Sequence, residues 1–374
     1  MSSEHTSLRH EDYTIACICP MGVEQAPVEA MLDEFHPDLP SKRNQNSYTL
    51  GRIGVHNVVI AILPGIGLSS AVVVAMQLFN DFPAIQLSLL VGIGGGLPDL
   101  ARGVDIRLGD VVVGKPSGTF GGVVEFACCQ DVGRIRYERV DGLQRPSDVL
   151  LAAVTRMEAR ARRGKSQIIK HLADMPQKYP KMREGEYTHQ DAENDQLFRA
   201  EYDHRGGMDC RDCDRAQVVP RERRVDSAPV VHYGTIGSSN VVVKDGRVRD
   251  QLRDDLDLQC VEMEAAGVLH VFPGLVIRGI CDYADSHKNK RWQPYAAATA
   301  AAYMKELVSM IPVSDTKSVD AKDAKVDATR EPGKLADGVV ARDVVGLRPW
   351  LLACLIGMLG ISLALNAYTL ASLR

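Results

Sequence analysis

The chain lacks an excess of positive charge: Lys and Arg number 44 against 48 Asp and Glu in 374 residues, a formal net charge of −4. Nucleic-acid binders carry a basic footprint, so no nucleic-acid partner is expected. It also lacks an apolar leader. Residues 1–12 are polar, and no signal peptide is expected. The nine cysteines do not read as a disulfide framework: Cys17, Cys19, Cys260 and Cys281 sit inside apolar runs and Cys128 adjoins Cys129, as buried thiols of a reduced compartment do. Missing too are a G-x-G-x-x-G fingerprint with its downstream acid and a Walker loop ending in Gly-Lys-Ser/Thr. Dinucleotide and P-loop readings therefore fall away, and no cofactor is expected.

What is there is a substantial apolar content, 45% of residues, enough for one large or two ordinary domains. Short β-rich runs at 13–19, 47–53, 57–63, 87–91 and 110–114 alternate with helical patterns at 25–35, 69–82 and 295–310. The runs 47–53 and 57–63 read as a hairpin through Gly54. Such alternation predicts an α/β fold, a mixed and mostly parallel sheet with helices on both faces.

The pattern breaks between about 130 and 227. A helix is expected at 149–163, a short continuation at 167–172, and an irregular polar stretch at 174–224 carrying Cys210 and Cys213. Zinc needs four ligands, and His189, His204 and His232 lack finger-like spacing. Two solvent-exposed thiols are expected there, and no metal.

Beyond 312 the composition changes again. Residues 313–346 are charged, lack aromatics and read as a flexible linker. Residues 350–373 carry no charge, and a helix rising ~1.5 Å per residue crosses a ~30 Å hydrocarbon layer over that length. Trp350 and Tyr368 stand near its edges. The expectation is a disordered 1–10, a body at 11–312, the linker, and a transmembrane helix at 347–373. It would be a single-pass C-terminal anchor with the body facing the cytosol.

Chemistry concentrates late in the body. Glu262 and Glu264 flank Met263 where an extended run meets a helical one, and Asp282 ends the next apolar run, with Asp285 just beyond. Carboxylates at strand ends of an α/β sheet sit where ligands bind; the competing reading is acids at a helix start and an Asp cap. Glu24 follows the first strand. Gly65-Ile-Gly67 and Gly92-Ile93-Gly94-Gly-Gly96 read as glycine turns whose N–H groups face the ligand edge.

In this order, Glu24, Pro-Gly-Ile-Gly, Val-Gly-Ile-Gly-Gly-Gly, Gly-Asp-Val-Val-Val, Gly234-Thr-Ile-Gly-Ser238-Ser-Asn240, Val-Glu-Met-Glu-Ala-Ala-Gly and Cys-Asp282-Tyr-Ala-Asp resemble the nucleoside phosphorylase/nucleosidase superfamily, fungal branch. The resemblance covers 11–312 apart from the insertion at 130–227. It implies a three-layer α/β/α fold and cleavage of the N-glycosidic bond of purine nucleosides or nucleotides. It implies Asp282 as the acid at purine N7, Glu264 on the ribose hydroxyls with Glu262 beside it, and Met263 on the ribose face. Ser238, Asn240 and Val241 would border the base, and Gly65, Gly67, Gly92, Ile93 and Gly94 would line the site. A homo-oligomer is also implied.

Phosphorylases of the superfamily hold phosphate with arginines where this chain has Pro20-Met-Gly-Val-Glu24 and Leu90, and a Ser where it has Ile93. Glu24 matches the water-activating residue of the nucleosidase branch. A carboxylate there repels phosphate by roughly 1–4 kcal/mol at 4 Å, which favours hydrolysis; phosphorolysis stays the alternative, since Gly65 to Ser70 at a helix start still suits an anion. Arg134, Arg136, Arg139 and the basic run 160–165, or Arg52, Arg102 and Arg107, are candidate partners for a 5′ phosphate chain as in ATP, unless they form solvated faces. A non-catalytic nucleotide sensor tethered to a membrane is the remaining alternative.

Overall fold

The computed structural model describes residues 8–40, 46–117, 120–131, 134–140, 143–184, 187–207 and 209–312. The expected linker and apolar span lie outside them. Among the described residues no helix is long and apolar enough to cross a membrane.

The elements are, in order, β1 (Ile15–Cys19), α1 (Gly22–Ala30), β2 (Glu34–Phe35), β3 (Tyr48–Ile53), β4 (His56–Ile62), α2 (Leu68–Asp81), β5 (Leu87–Gly96), β6 (Val111–Gly114), β7 (Val123–Asp131), β8 (Arg134–Val140), α3 (Asp148–Arg162), α4 (Ile168–Lys178), α5 (Pro180–Glu184), β9 (Val231–Ser238), α6 (Gly246–Leu256), β10 (Leu258–Glu262), α7 (Ala265–Val271), β11 (Gly274–Asp282) and α8 (Gln293–Val308). One mixed sheet runs β2-β3-β4-β1-β5-β11-β6-β9-β7-β8, with β10 bridging β5 and β9. The central strand β1 is parallel to both β4 and β5, and β5 is parallel to β11. Strands buried on both faces read as continuous apolar runs, as β1 does at all five positions.

Period-two side-chain alternation makes three layers. Ile15, Cys17 and Cys19 join the core with Val28, Leu150, Met157 and Leu307, on the side of α1, α3, α4 and α8. Ala16 and Ile18 join the opposite core with Val74, Leu78 and Val268, on the side of α2 and α7. The alanines of α8 permit close approach: a Cβ on Gly279 of β11 would collide with the Ala296 carbonyl. The expected α/β class with a central mixed sheet is the architecture found.

Four local expectations are corrected. The run 92–96 is no turn: it continues β5 as a fully buried strand and pairs with β10 and β11. Its glycines are there because neighbours press on it, not because the chain reverses. The helical pattern after β1 stops at Ala30, and Phe35 belongs to the edge strand β2. Within the expected insertion at 130–227, strand β8 joins the sheet through β7, which begins ahead of it at Val123, and α4 is a separate helix after Gly164, whose φ is +63°, not a continuation of α3. Cys213 is buried and Cys210 half-buried, because their loop folds back on the segment after β11.

Candidate active site

The carboxyl ends of β1, β5, β10 and β11 converge on a cavity of about 370 Å³, lined among others by Met21, Glu24, Ile66, Ile93, Met263 and Asp282. Glu24 reaches it from the first turn of α1, just after β1. Its Oε1 accepts the Ile93 N–H at 2.7 Å, while Oε2 is buried with no protein partner. Burial pushes its pKa up to about 8, against the pull of Arg278 and the Ile93 amide. A carboxyl so placed has one open oxygen and takes up a proton readily.

Arg278 on β11 is wholly buried beneath the site. It pairs with Glu262, lies 3.3 Å from Glu264 and 3.8 Å from Glu24. One guanidinium thus faces three carboxyls in low dielectric. Burial raises Glu264 as well, against the attraction of Arg278. Gly92 is what makes room: a Cβ there would meet both Arg278 and Glu24.

The two glutamates of β10 and its turn differ. Both oxygens of Glu262 accept the Ala265 N–H, and Oε2 also takes that of Glu264; with Arg278 added, its capacity goes to capping α7 and neutralising the arginine. Glu264 accepts the Gly67 N–H at 3.0 Å, which fastens the α2 entrance to the site. Gly67 manages this at φ +108°, a conformation that favours glycine.

Asp282 ends β11. Its Oδ1 accepts the Ala284 N–H at 2.9 Å and stands 3.3 Å from Lys288 Nζ; the Cys281 thiol lies 3.2 Å from Oδ2. Burial works against the charge of Lys288, but Asp282 outweighs it and keeps the ammonium above its ordinary pKa.

Residues 14–309 match the sequence pattern that defines the Phosphorylase superfamily. The chain belongs to this superfamily. A nucleotide-binding leucine-rich repeat (NLR)-like protein of Hyaloscypha variabilis is 39% identical over 312 residues, 82% of this chain and 30% of the relative. The chain thus spans less than a third of that protein's length. ATP nucleosidase Cap17 of Escherichia coli is 33% identical over 101 residues, 24% of this chain and 20% of that one. A 5′-methylthioadenosine/S-adenosylhomocysteine nucleosidase from Neisseria meningitidis superposes with a TM-score of 0.49 at 19% identity, over 79% of this chain and 98% of its own.

Within this Phosphorylase-superfamily domain, Glu24, Ile93, Gly94, Glu262, Met263, Glu264 and Asp282 border one cavity. Other expected residues serve it indirectly. Ser238 is buried, and its Oγ accepts the Ala266 N–H; Asn240 accepts the Leu68 N–H; Gly67 holds Glu264. Gly65, Gly67 and Gly92 are not among the lining residues, and in place of exposed Val241 it is Val242 that lines the cavity.

The phosphate candidates are revised. Arg52 pairs with Glu34 at the sheet edge, Arg102 with Asp99, Arg107 with Asp105, and Arg160 with Glu306; none lines the cavity, whereas Lys244, Lys288 and Lys290 do. These lysines carried no motif signal. Asp285 pairs with Arg249 at 3.3 Å and accepts the His287 N–H of the following loop.

Proposed function

We propose that this domain hydrolyses the N-glycosidic bond of a purine nucleoside or nucleotide and releases the free base. The observation that carries this reading is Glu24: a buried carboxyl with one oxygen fixed by a backbone amide and the other open, in a cavity that also holds Glu264 and Asp282.

In this reading a water lies against Glu24 Oε2. As the bond from C1′ to the base breaks, its electron pair goes to the base, and Asp282, having taken a proton from solvent as substrate enters, passes it to N7. Lys288 beside Asp282 adds positive charge where the leaving base gains electrons. The water oxygen bonds to C1′, and its proton passes to Glu24. Glu264 accepts from the ribose hydroxyls, and its negative charge favours the cationic sugar; Met263 packs on the ribose. Glu262 acts through Arg278 and α7, holding Glu264 in place.

Lys244 and Lys290 are exposed at the cavity wall, a charge pattern that suits 5′ phosphates. The partial likeness to a protein named an ATP nucleosidase supports a nucleoside triphosphate as substrate. A homo-oligomer and a membrane anchor formed by the apolar C-terminal stretch belong to the same proposal; light scattering and detergent partitioning of the full chain against a chain ending at 312 test them.

The decisive assay incubates the chain with adenosine, inosine and ATP, with and without phosphate. Free purine at equal rates in both is expected. Ribose 1-phosphate among the products overturns hydrolysis in favour of phosphorolysis, and nucleotide binding without base release favours the sensor.

A further inference from the structure

The loop between α5 and β9 gathers side chains that the proposed reaction does not use. A ring nitrogen of His204 and the sulfurs of Cys210 and Cys213 lie within 4.8 Å of one another. Ligand atoms around tetrahedral zinc stand about 3.3–3.8 Å apart, so closing on an ion needs movements of about 1 Å or less.

His287, from the segment after β11, approaches the same place. Its ring is T-shaped to that of His204 with centroids 5.5 Å apart, and its carbonyl is 3.9 Å from Cys210 Sγ. His287 is 7% exposed, and neither of its ring nitrogens has a hydrogen-bond partner. A buried imidazole with both nitrogens unsatisfied is unfavourable unless something binds there. Cys210 and His287 also border one cavity of about 200 Å³.

The surrounding groups suit metal-bound imidazoles, which donate their second ring N–H to a carbonyl or a carboxylate. His204 Nε2 is 3.0 Å from the Asp209 carbonyl. A carbonyl only accepts, so Nε2 carries the hydrogen and Nδ1 keeps its lone pair. His287 Nδ1 stands 3.6 Å from Asp285 Oδ1 without a hydrogen bond, and a metal on Nε2 would leave Nδ1 facing that carboxylate.

We propose that His204, Cys210, Cys213 and His287 bind one zinc ion, which ties the loop 203–213 to the segment carrying Lys288. This revises the expectation of no metal. Two thiolates and two imidazoles are a zinc donor set, and on binding the two thiols release their protons to solvent. The consequence is local order: the His204 backbone N–H already donates to Ser286 Oγ at 2.9 Å, and Lys288 follows His287 directly.

The test needs no enzymatic activity, so it stands apart from the proposed reaction. The full chain is purified in reductant from zinc-supplemented medium, and its metal content is measured by mass spectrometry; about one zinc per chain is expected. Chelator-stripped protein titrated with cobalt should show tetrahedral visible bands and thiolate charge-transfer absorption. Cys213→Ser and His287→Ala should each weaken zinc binding roughly tenfold or more. Stripped wild-type protein that takes up neither metal overturns the proposal, whether or not the variants fold. So does a Cys210–Cys213 disulfide in the reduced sample, or folded variants that bind zinc as tightly as wild type.

Discussion

Arg278 Nη1 lies 3.8 Å from Glu24 Oε1, and both side chains are buried. The arginine is already neutralised by Glu262 and Glu264, so its attraction for Glu24 does not cancel the cost of burial, and the carboxyl stays high in pKa.

That relationship sets the pH dependence of the reaction. The base form of Glu24 grows as pH rises toward about 8, so kcat/KM should climb with pH and level off above that value, a profile measured with saturating and limiting nucleoside. Activity already constant between pH 5 and 7 would show that Glu24 is not the base.

The same shift enters stability. The pKa of Glu24 is raised on folding from 4.5 to about 8, so its contribution is fully present below pH 4.5 and is lost as pH rises through 8. Glu24→Gln should therefore gain Tm over wild type at pH 8 and show little difference at pH 4.5. Its base release should fall by about 10²–10⁴. Thermal scans at the two pH values, beside the base-release assay, separate folding from chemistry.

Arg278→Met removes the one cation among three buried carboxyls. Breaking a buried pair from one side costs about 3–5 kcal/mol, and denaturant unfolding should show a loss of that order. A variant as stable as wild type would mean the carboxyls are all neutral in the folded chain.

Gly92→Ala places a methyl against Glu24 and Arg278. Overpacking of this kind costs about 1–3 kcal/mol, and displacement of Glu24 should lower kcat well beyond any change in KM. Equal losses in kcat from Gly65→Ala would argue against this account, because a Cβ there meets only Ser70 Oγ at 3.8 Å.

Lys288→Met removes the ammonium beside Asp282. Loss of one preorganised charge at a leaving group costs about 10²-fold in kcat, and with ATP a rise in KM is expected as well. Lys244→Met and Lys290→Met should raise KM for ATP while leaving that for adenosine unchanged; steady-state kinetics on both substrates reads the difference.

Much of the fold was legible because burial writes itself locally. The apolar run of β1, the hairpin of β3 and β4, and helix α2 follow from side-chain period and turn residues over a few positions. The glycine run 92–96 misled for the same reason: glycine marks both a turn and a crowded strand, and only the approach of Arg278, Cys260 and Asp282 distinguishes them. Strand β7 was missed because its pairing with β9 joins segments about a hundred residues apart, and β8 enters the sheet only through its hairpin with β7.

By itself the sequence determined the α/β class and the residue types of the site: Glu24 past the first strand, Glu262-Met263-Glu264 at one strand end and Asp282 at another. Tertiary structure alone decided their partners. It gave Glu262 to Arg278 and the α7 amides, left Glu24 one open oxygen, set Lys288 beside Asp282, and drew His204, Cys210 and Cys213 together with the His287 ring alongside. The physical reason is that periodicity reports which side chains leave water. The proton affinity and capacity of a buried group depend on what meets it there, and those neighbours come from distant parts of the chain.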